Sequence, residues 1–232
     1  MADPGTNRSA RTTGRAPTSD RAPVRGGRKV GRKPAFDTAD AVAAAFAEGI
    51  DRFTMSSVAA RLGVVPAALY RLFPSRDDLV IACLDAAGAT IARPETDMTW
   101  RAVLRTWADE CWRLCEDYPG LESVLYSFPA APTRIDEVFR AYADHLAQLG
   151  KTLPQVMFAL DFIGDTVLAS HLGVSSMRAV QDDGRTGLET VRDAVGDMEA
   201  TLQPKEWWTG RRAMDTKVEF ILTGLERDWP ET

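Results

Sequence analysis

The sequence predicts an all-α protein: a small three-helix unit at residues 34–80, then a larger helical domain at 81–232, preceded by a disordered basic arm at 1–33. Three observations carry that reading. Apolar residues recur at helical spacing from Phe36 onward, with no convincing period-two alternation of the kind strands show. Proline and glycine stand where those segments start and stop. The composition, 45% hydrophobic and 26% charged over 232 residues, is that of a globular chain able to bury a core.

The arm comes first in the chain. It holds nine Lys or Arg against two acids, Asp3 and Asp20, and is rich in Gly, Pro, Ser and Thr. With so few large apolar side chains it cannot offset its ordering entropy, so it is expected to be disordered on its own. Its charge is about +7, which leaves about -12 on the remainder of a chain whose total is -5. Affinity for a polyanion is thus concentrated at one end. No run approaches the ~18 apolar residues of a membrane span, and arginines occupy the first thirty residues where a signal peptide would be apolar. A cytoplasmic protein with no membrane partner is expected. Three cysteines, Cys83, Cys111 and Cys115, and two histidines, His145 and His171, suit neither a disulfide framework nor a tetrahedral zinc site. No metal or other cofactor is expected.

The helices follow in order. Asp37 caps a first helix whose inner face is Ala39, Val42, Ala43 and Phe46, with Gly49 placed to end it. Thr54 or Ser56 caps a second, short helix with Val58, Ala59 and Leu62 inward, and Gly63 after it can take a left-handed backbone. Pro66 suits the first turn of a third helix, with Leu69 and Leu72 inward. Two helices of about two turns joined around a glycine make a helix-turn-helix. Ser75, with Asp78 three residues on, starts a fourth helix with Leu79, Cys83 and Ala86 inward until "ARPE" breaks it. Trp100, Val103, Leu104, Trp107, Cys111, Leu114, Cys115 and Tyr118 then form one stripe, closed by "YPG". Further helices are expected from Leu121 to Phe128, within "RIDEVFRAYADHLAQLG", from Leu153 to about Met177, and near Arg211 to Arg227. The stretch "QDDGRTGLETVRDAVGDMEATLQPKEWW" reads as a loop with one short helix.

The unit "FDTADAVAAAFAEGIDRFTMSSVAARLGVVPAALYRLFPSRDDL" resembles the DNA-binding domain of TetR-family transcriptional repressors. A glycine, "LYRLF" and "SRDDL" occur in the order that family shows, at the amino end of a helical chain. The motif covers about a fifth of the chain, and "MDTKVEFILTGLERDW" is similar to the family's closing helix. The resemblance implies a homodimer on an inverted-repeat operator in double-stranded DNA, with a helical domain that accepts a small-molecule effector and pairs through its last long helices. Three residues depart from the pattern: Val65 replaces a small polar cap, Leu72 a histidine, and Arg76 a lysine.

In a helix-turn-helix the second helix enters the major groove. The resemblance assigns Tyr70 to a phosphate contact, supported by Thr54, Ser56 and Arg76. Arg71 reaches phosphate or a guanine edge, and Pro66 and Ala67 offer apolar surface suited to thymine methyls. Between Pro34 and Val80 four arginines face six acids, so this unit is about -2. Arg25, Arg28, Lys29, Arg32 and Lys33, directly before the first helix, are therefore expected in the minor groove. The plainer reading of the arm is a solubilising tail.

For the effector pocket the resemblance points to the aromatic stripe and its partners: Trp100, Trp107, Cys111, Tyr118, Phe139, Tyr142, Phe158 and Phe162. Ordinary core packing is the plainer reading of each. Cys111 and Cys115, one turn apart, read as small hydrophobes. Asp161 and Asp165 share a helix face and could hold a cationic ligand group or a metal, against the plainer reading of a solvated pair. A four-helix dimer interface is expected to use Ile163, Val167, His171, Met214, Val218, Ile221, Leu222 and Leu225. The functional expectation is a ligand-responsive repressor released by an apolar or aromatic effector. The alternative is a ligand-independent dimeric regulator or architectural protein. No phosphate-binding glycine loop, nucleophile elbow or metal-ligand cluster marks an enzyme.

Overall fold

Reciprocal side-chain caps set most of the helix starts. In the computed structural model, which describes residues 36–196 and 203–230, helix α1 (Thr38–Glu48) opens at Asp37. The Asp37 carboxylate accepts from the Asp40 N–H and Asp40 accepts from the Asp37 N–H, both at 3.0 Å. The same box opens α2 (Met55–Arg61) at Thr54 and Ser57, and α4 (Arg76–Gly88) at Ser75 and Asp78. It recurs at Thr152 and Gln155 before α8 (Leu153–Arg178), and at Thr186 and Glu189 before α9 (Gly187–Val195). Each box satisfies two N–H groups that a helix start leaves without partners. Helix α3 (Pro66–Tyr70) has no side-chain cap, as Val65 implies, and Pro66 starts it with φ preset and no N–H to satisfy. Gly63 takes the left-handed backbone, φ +67°, that the turn between α2 and α3 needs.

The remaining helices are α5 (Trp100–Asp117), α6 (Leu121–Ser127), α7 (Asp136–Gln148) and α10 (Arg212–Leu225), with 3-10 turns at Ala131–Ile135 and Glu206–Thr209. Among the described residues the strand-like feature is one isolated bridge, Val180 to Thr186. Helix α8 is the centre of the larger domain, with α5, α6, α7, α9 and α10 packed around it. By length and a mean hydropathy of 1.3 it would also suit a membrane span. Asp161 and Asp165 interrupt it, and its Leu160, Ile163 and Val167 are fully buried against those neighbours. Each such leucine or isoleucine contributes ~1.5–3 kcal/mol.

Two inner faces differ from expectation. On α1 the buried residues are Ala41, Val42, Ala44 and Ala45, while Ala39 and Ala43 are exposed. An alanine-rich helix carries too weak a period to fix its own rotation. Leu72 is 41% exposed, because α3 ends at Tyr70 and the following turn, bonding both Leu72 N–H and Phe73 N–H to the Leu69 carbonyl, brings Phe73 inside instead. Helix α4 is buried on a broader face than expected, with Val80, Leu84, Ala87 and Gly88 joining Leu79 and Cys83, while Ala86 is only partly covered. That breadth reflects two partners: α1 and the turn at Ala131–Ile135.

Candidate functional site

The DNA-facing candidates lie on an exposed apolar surface. Val65, Pro66, Ala67, Tyr70 and Arg71 are all exposed on or beside α3. Leu69 anchors the helix from beneath with no exposure at all. Thr54 and Ser56 are exposed at the start of α2, the Thr54 hydroxyl oxygen accepting from the Ser57 N–H at 3.0 Å. The Arg76 guanidinium donates to the carbonyls of Phe53, Ile50 and Asp51 at 3.0, 3.2 and 3.0 Å and lies over the Phe53 ring. Through these bonds it clamps the loop between α1 and α2. Arg25, Arg28, Lys29, Arg32 and Lys33 lie outside the described residues.

The larger domain holds a cavity of about 240 Å³ between α4, α5, α6, α7, α8 and the turn at Ala131–Ile135. Of the expected pocket residues, Trp107, Cys111 and Phe139 line it. Trp107 is fixed by its indole N–H, which donates to the Leu160 carbonyl at 2.9 Å, and Gly164 opposite leaves room beside it. Burial pushes the Cys111 thiol up to about 12, so it acts as a neutral apolar wall.

The other five candidates do not line the cavity. Trp100 packs edge-on against Trp229, Tyr118 against Phe46 of α1, and Phe158 against Phe162. Tyr142 is fully buried behind Trp107, its hydroxyl donating to the Ala92 carbonyl at 2.8 Å. Phe162 is 46% exposed on the outer side of α8. The stripe on α5 spans five turns, and only its middle faces the cavity.

Sequence reasoning missed Leu84, Ala87, Gly88 and Ile91 of α4 and its following residues, and Leu121, Leu125 and Tyr126 of α6, all of which line the cavity. Their signal was the apolar face of α4 running on past Cys83. Asp161 and Asp165 stand at the same cavity. Both residues are exposed, neither carboxylate has a hydrogen-bond or ion-pair partner among the described residues, and some desolvation with the charge of Asp161 raises the pKa of Asp165 above its ordinary value. Arg134, also at the wall, is paired with Asp85 at 2.7 Å. Glu110 is held below the usual carboxylate range by Arg113, which donates to it at 2.8 Å.

The expected dimer residues turn inward as a set. Ile163, Val167, His171, Met214, Val218, Ile221, Leu222 and Leu225 are all buried in the core of a single chain. Helices α8 and α10 do pack together, so the faces left to solvent carry different residues: Phe162 and Thr166 on α8, and Lys217 and Phe220 on α10. Phe220 is 81% exposed. His171 faces Glu122 of α6, Nδ1 to Oε1 at 3.3 Å, with Cys115 close by. Burial works against the charge of Glu122, but hydrogen bonds from His171 and from its own N–H, with the His171 charge, hold its carboxyl below the ordinary value.

Helix α4 joins the two parts. Its Leu79, Val80 and Cys83 are buried in the continuous core that α1 shares, and its Leu84, Ala87 and Gly88 line the cavity. The expected boundary at residue 80 falls inside it. A second contact runs from the turn between α5 and α6 to the helix-turn-helix. Tyr118 and Phe46 rings lie 4.3 Å apart, and Gly120, at φ +88°, leaves its side-chain position to the Asp51 carboxylate.

Residues 38–83 match the family described as bacterial regulatory proteins, tetR family. Over 166 residues, 70% of this chain, the sequence is 31% identical to the HTH-type transcriptional repressor DrrR1 of Streptomyces coeruleorubidus. The match spans 61% of that relative's length. Three solved structures share the fold. A possible TetR-family transcriptional regulator from Streptomyces coelicolor matches with a TM-score of 0.68 at 20% identity, covering 82% of this chain and 99% of its own. ActR of Streptomyces coelicolor in complex with actinorhodin matches at 0.63 and 19% identity, covering 82% and 92%. A TetR variant from Acinetobacter baumannii in complex with minocycline matches at 0.61 and 21% identity, covering 84% and 99%.

Proposed function

We propose that this chain, whose residues 38–83 match the tetR family of bacterial regulatory proteins, is a ligand-responsive transcriptional repressor. It binds an inverted-repeat operator as a homodimer and leaves it when a small molecule occupies the cavity between α4 and α8. One observation carries this reading: the helix that packs against the DNA-binding unit also forms a cavity wall. A ligand shifts operator affinity only by binding one conformation better than another. A ligand that displaces Leu84 or Ala87 moves the base on which the helix-turn-helix sits.

The effector is a compact, largely apolar or aromatic molecule with a cationic group. Its apolar part meets Trp107, Leu114, Leu125 and Phe139, and its cation meets the unpartnered carboxylates of Asp161 and Asp165. The exposed faces of α8 and α10, with Phe162 and Phe220, pair with the same faces of a second copy. Such a pairing, about a two-fold axis, sets two recognition helices on half-sites about one turn apart.

The test is to select duplexes from a random pool with the full chain, then titrate the bound complex with aromatic amines and minocycline, followed by fluorescence anisotropy. Selected sites with two-fold symmetry and release by a cationic aromatic compound are expected. Recovery of asymmetric sites contradicts the dimeric reading, and symmetric sites that no compound releases favour a ligand-independent regulator.

A further inference from the structure

Behind the cavity wall lies a cluster that the reading above does not use. Cys115 at the end of α5, Glu122 in the first turn of α6 and His171 on α8 each offer one ligand atom, and these atoms lie within 4.8 Å of one another. All three residues are buried, at 1%, 3% and 3% exposure. Glu122 Oε2, which belongs to the cluster, has no hydrogen-bond partner despite that burial. Buried polar atoms without partners are uncommon and call for a missing group.

We propose that Cys115, Glu122 and His171 form a binding site for one thiolate-preferring divalent cation, Zn²⁺ above all. A sulfur, an imidazole nitrogen and a carboxylate oxygen are the donor types Zn²⁺ takes, and three protein ligands with an open fourth position are a usual set. Charge also fits. A thiolate and a carboxylate together neutralise the ion, so the loaded site carries no net charge into a buried place. The Cys115 proton is the one that leaves to solvent as the Zn–S bond forms. Ligands around a tetrahedral zinc lie ~3.3–3.8 Å apart given bonds of ~2.0–2.3 Å, so the three side chains need converge by only about 1 Å.

The surroundings match a metal site's outer layer. His171 Nδ1, which faces Glu122, also lies 3.2 Å from the Ser175 hydroxyl. On the other side of the ring Nε2 looks toward the Glu116 carboxylate at 3.7 Å, and Arg178 holds that carboxylate at 2.8 Å. Closing that gap by ~1 Å would set a carboxylate on the far nitrogen of a ligating histidine, an arrangement that fixes the ring and its tautomer. The edge of Trp112 closes against the imidazole at 4.8 Å between centroids. The ion would tie together α5, α6 and α8, whose Leu114, Leu121 and Leu168 line the effector cavity.

The experiment uses the full chain, stripped with a chelator and titrated with Co²⁺, then back-titrated with Zn²⁺. One Co²⁺ per chain is expected, with a thiolate-to-cobalt charge-transfer band that Zn²⁺ abolishes. Cys115→Ser removes the band, while Cys83→Ser and Cys111→Ser keep it. Cys115→Ala, which suits a buried apolar position, serves if the serine variant does not fold. His171→Gln and Glu122→Gln weaken binding, and Glu116→Gln weakens it by ~10–100-fold while the band remains. No saturable binding, or a band that survives both Cys115 variants, overturns the proposal and leaves a buried Glu–His pair alone.

Discussion

The two halves of the chain are specified in different ways. In residues 36–80 the helix ends are set by neighbours in sequence: two caps of three-residue reach, one proline start and one left-handed glycine mark three helices, whose inner faces are then held by the core they share. Residues 81–230 are set by distant partners. There α8 meets five other helices, and a stripe that looks uniform on α5 serves three separate surfaces along its length. Local signals thus mark the helix ends of the helix-turn-helix, and tertiary packing shapes the cavity of the larger domain.

The comparison can be broken at several points. The largest effect is expected from Leu69→Ala, which removes the fully buried anchor of α3 and should cost ~2–5 kcal/mol of helix-turn-helix stability. Operator binding is lost in anisotropy, while titration of the same variant with a releasing compound still shows ligand uptake. Loss of both would mean the halves are not separately specified. Deleting residues 1–33 should come next. Operator affinity falls, and the slope of log K against log salt flattens by ~0.9 for every phosphate contact removed. An unchanged slope would make the arm a tail.

Tyr70→Phe tests one contact. Losing a hydrogen bond to a charged phosphate costs ~1.5–3 kcal/mol, about tenfold or more in affinity, and equally for strong and weak sites because phosphates carry no sequence information. The smallest effect concerns Asp165. Its folded pKa is raised by some desolvation and by Asp161, so at neutral pH its charge costs the native state a little stability, an effect that its solvent exposure keeps small. Asp165→Asn should therefore raise Tm at pH 7, and that gain should fade as pH falls below the unfolded carboxylate value of about 3.9, where both states are protonated. The same variant should bind a cationic effector more weakly, a stability gain obtained at the expense of function. A Tm gain that persists at pH 3 would assign it to another cause.

Much of the first half was legible. The caps at Asp37, Thr54 and Ser75, the proline start and the Gly63 turn follow from residue type and spacing alone. The rotation of α1 was not, since its six alanines differ too little in hydrophobicity to point inward or outward. The bonds of Arg76 to three carbonyls were not legible, because an arginine in sequence looks the same whether it clamps a loop or faces solvent. In the second half every helix was legible, but not which face meets which partner. Ile163 and Phe162 are neighbours in an apolar stretch, and only the packing of α5 and α10 decides that one is buried and the other half exposed. His171 lies 49 residues from Glu122, with Cys115 further still, and could be joined to them only in three dimensions.

The central claim is that occupancy of the cavity reaches the DNA-binding unit through α4. The most direct measurement fills the cavity from the opposite wall with Gly164→Leu, whose side chain starts 3.7 Å from the Trp107 indole nitrogen, and records operator binding with and without a releasing compound. Operator affinity equal to that of the unaltered chain, with release abolished, is the predicted result. Release at the same compound concentration as the unaltered chain would contradict it.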